Sequence, residues 1–105
     1  MPIPLSERTR RVSALLLNEP ERSRIEQRLV AETSEDIPMW HEYTPEGLER
    51  IRFSALKLIA QGPKNENIAF NHATMDWRDL FMSAGFAECV TEHERWYETI
   101  TQKEG

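Results

Sequence analysis

Apolar residues recur along this chain at intervals of three and four and nowhere alternate for more than a few positions. That spacing predicts helices, and the absence of runs rich in Val, Ile and Thr argues against a sheet. A first helix is expected after Pro4, capped by Ser6, with Val12, Leu15 and Leu16 as a short stripe. Asn18, Glu19 and Pro20 interrupt it, because proline is tolerated in a first turn and not in a helix interior. A second helix is expected from near Pro20 to about Glu32, with Ile25 and Leu29 inward; one kinked helix is the alternative. Residues 33–43 read as a connection of unusual apolarity, with Ile37, Met39, Trp40 and Tyr43. Such loops commonly fold back over a core.

A third helix has the fullest set of start signals: Thr44 as cap, Pro45 in the first turn and Glu46 at the positive end of the dipole. Leu48, Ile51, Ala55, Leu58 and Ile59 follow at helical spacing, and Phe53 and Leu56 widen the surface, which makes this helix central. Gly62 and Pro63 stop it. A shorter helix is expected from about Asn65 to Ala73. A fifth starts at Asp76, with Trp77, Leu80, Phe81 and Ala84 on one face, and ends at Gly85. Thr91, with Glu94 three residues on, opens a last helix bearing His93, Trp96, Tyr97 and Ile100 on one side. Residues after about Gln102 are expected to fray. The expected fold is all-α, a compact bundle of five to six short helices. The third and fifth lie at its centre and the last packs across them.

The 105 residues suggest one domain, residues 1–105, with core helices in 44–102. The pair in residues 1–32 is strongly charged outside a narrow stripe, so it is expected to dock loosely or to pair with another subunit. Net charge is -5, but unevenly placed. Residues 1–34 hold six Arg and five Glu (+1), and residues 35–105 hold seven Lys or Arg and thirteen Asp or Glu (-6). An acidic chain disfavours nucleic acid and anionic membrane as partners. The single cysteine, Cys89, permits no intrachain disulfide and fits a reducing compartment. The longest apolar run, residues 14–17, is too short for a membrane span. A soluble, cytoplasmic protein is the expectation.

From Leu48 onward the words Leu48-Glu49-Arg50-Ile51-Arg52-Phe53-Ser54-Ala55-Leu56-Lys57-Leu58, then Asp76-Trp77-Arg78-Asp79-Leu80-Phe81-Met82-Ser83-Ala84-Gly85-Phe86, then His93-Glu94-Arg95-Trp96 can be quoted as a pattern. In these the chain resembles a group of small uncharacterised bacterial helical proteins. About half the chain is covered and residues 1–43 are not. The resemblance implies a helical fold and a bacterial source, and brings no activity, cofactor or catalytic residue with it.

Candidate chemistry is sparse. Asp76, Trp77, Arg78 and Asp79 place two carboxylates and a guanidinium on one turn beside an indole. These are residue types that anchor interfaces, although helix capping also accounts for both acids. Met39 and Trp40 would form an interaction surface if the apolar loop exposes them. A metal would need several ligands to converge, and His41, His72 and His93 are the weak candidates. Cys89 lies ahead of the last helix, where a thiol can be activated but more commonly only packs. No phosphate loop, nucleophile elbow or paired-cysteine cluster is present. No catalytic residue, cofactor or metal is therefore expected. The leading reading is a non-enzymatic interaction domain whose partner is another protein or itself, as in a homodimer. A nucleic-acid regulator using Arg8, Arg10, Arg11, Arg22, Arg24 and Arg28 stands second, and a metal-dependent enzyme using the three histidines third.

Overall fold

Within residues 51–56 every side chain is buried, so one helix is enclosed on all sides and the rest of the bundle is arranged about it. The computed structural model describes residues 3–33, 45–62, 64–75, 77–86 and 92–102. They form six helices: α1 (Glu7–Leu16), α2 (Glu21–Glu32), α3 (Pro45–Gln61), α4 (Asn65–Met75), α5 (Trp77–Ala84) and α6 (Glu92–Gln102). Among the described residues there is no strand. The enclosed helix is α3, which touches α1, α4, α5 and α6. The radius of gyration is 12.6 Å, that of a compact fold of this length.

Local chemistry sets the ends. The Ser6 hydroxyl accepts the backbone N–H of Thr9 at 3.1 Å and opens α1. Pro20 cannot cap α2 with its side chain. The Glu19 carboxylate takes that role, accepting the backbone N–H of Ser23 at 2.7 Å and its hydroxyl at 2.6 Å. These two bonds hold the Glu19 carboxyl below its ordinary value. Two separate helices thus stand where one kinked helix was the alternative. Gly62 ends α3, and the Asn65 side chain donates back to the Leu58 carbonyl at 2.9 Å. At the end of α5, Gly85 takes φ +82°, its N–H bonds to Met82, and that of Phe86 to Phe81. This is the paired-bond ending that glycine permits and a side chain strains. The Lys57 ammonium reaches the Ala84 carbonyl at 2.6 Å, placing a cation at the negative end of α5.

The core joins Val12 of α1 and Ile25 and Leu29 of α2 to Ile51, Phe53, Leu56, Phe70, Leu80 and Phe81. Leu15 and Leu16, expected inside, are only half-buried, and Thr9 and Ser13 take the inner face of α1 with Val12. Helix α4 runs two residues beyond the expected Ala73, to Met75. Helix α6 lies on α3, as expected, and also on α1, and its Trp96 meets Phe86, just beyond α5, at 5.6 Å. The Phe53 ring meets those of His93, Trp96 and Tyr97 at 5.7, 5.8 and 5.6 Å, and the Arg8 guanidinium covers Tyr97 at 4.5 Å. Among the described residues, no helix is long and apolar enough to cross a membrane.

Candidate binding groove

Two polar contacts fix the N-terminal pair. The Ser13 hydroxyl of α1 donates to the Glu26 carboxylate of α2 and accepts from the Arg22 guanidinium of α2 at 3.4 Å, while Arg22 and Glu26 pair within α2 at 3.1 Å. On the far side, α2 is clamped to α4. Arg24 donates two bonds to Glu66, at 2.6 and 2.7 Å, and Arg28 a third at 2.7 Å. Arg28 also lies over the Phe70 ring at 4.2 Å. The Glu66 carboxyl is held at about 2, against an ordinary 4.5. The Arg24 bond is the largest cause, burial opposes it, and Arg28 adds to the lowering.

With α2 clamped on one side and joined to α1 on the other, an open groove of about 720 Å³ remains between them. Along α2 it is lined by Arg22, Ser23, Glu26, Gln27, Val30 and Ala31, and the opposite side is supplied by Pro4, Leu5 and Arg10. This volume lies in the range of clefts that hold ligands or peptide side chains. Its lining is graded: hydroxyl, amide and charge near the start of α2, and Val30, Ala31, Leu5 and Pro4 as the apolar part.

The strap of residues 3–6 that forms one wall is held by a buried cation. Arg52 is 2% exposed. Its guanidinium donates to the carbonyls of Pro4 (3.1 Å) and Ile3 (2.7 Å), and its Nε to the Thr33 hydroxyl at 3.0 Å. One side chain of α3 therefore ties down both the strap and the end of α2. A second, smaller cleft of about 190 Å³ lies on the other side of the strap, with Leu48, Glu49 and Arg52 in its wall.

Of the residues singled out from sequence, Asp76, Met39, Trp40, His41 and Cys89 lie outside the described residues. Trp77, Arg78 and Asp79 form the first turn of α5, and their side chains also lie outside them. His72 sits in the last turn of α4 and is half-buried; His93 is buried in α6 against Phe53. Among the described residues, no three His, Cys, Asp or Glu side chains are gathered as a metal site would need. The N-terminal arginines are largely engaged by carboxylates: Arg8 by Glu49, Arg22 by Glu26, Arg24 by Glu66, and Arg28 by Glu32 and Glu66. A phosphate backbone would have to displace those acids.

Sequence reasoning passed over Gln27, Val30, Ala31 and Arg52. Val30 and Ala31 extend the apolar surface of α2 beyond the Ile25–Leu29 stripe, which was the available signal for the groove. Arg52 is flanked by Ile51 and Phe53 in a helix already read as central, which was the signal for a buried cation. No protein-family model, curated protein or solved structure matches this chain.

Proposed function

We propose that this chain is a non-enzymatic protein–protein interaction domain that receives a segment of a partner in the groove between α1 and α2. The observation that carries the proposal is the groove itself: an open cleft of ligand-binding size on a braced pair of helices, apolar in one part and polar in the other. The graded lining suits a peptide, which brings apolar side chains and a polar backbone together. The same proposal places the protein in the cytoplasm of a bacterium. The single cysteine supports the reducing compartment, and the resemblance noted from Leu48 onward supports the source.

Site-directed photo-crosslinking in the source cells tests this. A benzophenone-bearing amino acid replaces Gln27 in the groove, or exposed Lys64 between α3 and α4. The expected result is a discrete adduct from position 27 alone, lost when Ala31→Trp fills the groove. The same adduct from both positions, or none from position 27, contradicts the proposal. An adduct of twice the chain mass identifies a second copy as the partner.

A further inference from the structure

We propose that the α1–α2 groove is selective for a short acidic segment of another protein, one carrying carboxylates beside apolar side chains; this rests on the interaction-domain reading above. The first support is length. The α2 residues that line the groove, from Arg22 to Ala31, recur in pairs four apart, so they form one face along the helix. At 1.5 Å per residue that face is about 13 Å long, the span of about four extended residues.

The second support is charge. Three charged side chains line the groove: Arg10, Arg22 and Glu26. Glu26 is already engaged by Arg22 and by the Ser13 hydroxyl, so this pair is internally neutral. Arg10 is exposed on the opposite wall, and among the described residues no acceptor engages its guanidinium. The groove thus carries one uncompensated positive charge beside an apolar surface made by Leu5, Val30 and Ala31. A carboxylate is the complementary group, and guanidinium recognises it with two parallel bonds. A neighbouring apolar side chain would seat against Val30 and Leu5, and the exposed Gln27 amide is placed to bond a backbone group. A basic segment would meet Arg10 with like charge and gain nothing from Glu26.

The test is a titration of ¹⁵N-labelled full-length chain with two blocked peptides, acetyl-Glu-Leu-Glu-Leu-amide and acetyl-Lys-Leu-Lys-Leu-amide. The acidic peptide is expected to shift the amide signals of Arg10, Gln27, Val30 and Ala31 in a saturable way, about tenfold more tightly than the basic one. Arg10→Glu is expected to abolish or reverse that preference while leaving the melting temperature unchanged, since Arg10 is exposed. Equal affinity for the two peptides overturns the proposal and leaves an apolar groove. No shift from either, with the position-27 crosslink intact, overturns the acidic chemistry and retains the interaction reading. Shifts at these residues that grow with protein concentration alone make the occupant a second copy and also overturn it.

Discussion

Burying a guanidinium costs several kcal/mol unless its N–H groups find acceptors. Arg52 meets that condition with two backbone carbonyls and a hydroxyl, drawn from residues 19 to 49 positions away in sequence. Its burial could be suspected from Ile51 and Phe53 on either side, but no local pattern encodes such distant partners. Arg52→Met keeps the stem and removes the donor from both strap carbonyls. It is expected to lower stability by about 3 kcal/mol, read as a reduced urea midpoint. A loss below about 0.5 kcal/mol would mean that the strap is held by Leu5 and the Ser6 cap alone.

Glu66 is the second such residue. Its folded value is lowered to about 2, so its contribution is complete above pH 4.5 and disappears as the pH falls toward 2. Arg24 remains 56% exposed, so solvent screening limits the contribution to about 1 kcal/mol. In chemical denaturation, the wild type is expected to lose this increment between pH 4.5 and 2, and Glu66→Gln to lack it at neutral pH and show a flatter acid limb. Identical acid limbs would contradict the clamp.

Helix boundaries were the most legible feature at the scale of elements, because the residues that set them act on neighbours. Ser6, the Asn-Glu-Pro break, and Gly85 each stop or start a helix through bonds within six residues. Helix α4 was less legible. Its apolar residues are spread around it, and no glycine or proline marks its end, so it was expected to be two residues shorter. The contact of α6 with α1 was not legible, for a different reason. The inward face of α6 and its packing on Phe53 of the third helix were legible, but that Arg8 of α1 covers Tyr97 depends on how α1 returns in three dimensions. Gly85 provides an element-scale test. At φ +82° a Cβ would meet only the flexible Lys57 ammonium, at 3.5 Å, so the cost of Gly85→Ala is conformational. A loss of about 1 kcal/mol in thermal or urea unfolding is expected. No loss would mean that the left-handed turn is not retained.

For the whole molecule, α3 packs against four other helices, and the N-terminal pair is tied to it and to α4 by cations: Arg52 from α3, and Arg24 and Arg28 from α2. The all-α class and the central place of the third helix follow from spacing alone. The groove does not, since it arises from the way two helices and a strap are held apart.

The groove can serve as a binding surface only if α1 and α2 remain in place while the rest of the bundle is folded. Native-state hydrogen exchange measures this residue by residue. The amides of Leu29 and Val30 in α2 and of Val12 in α1 are expected to exchange through openings within about 1–2 kcal/mol of those for Ile51–Ile59 in α3. Exchange of the N-terminal pair at nearly unprotected rates, with α3 still protected, would contradict it.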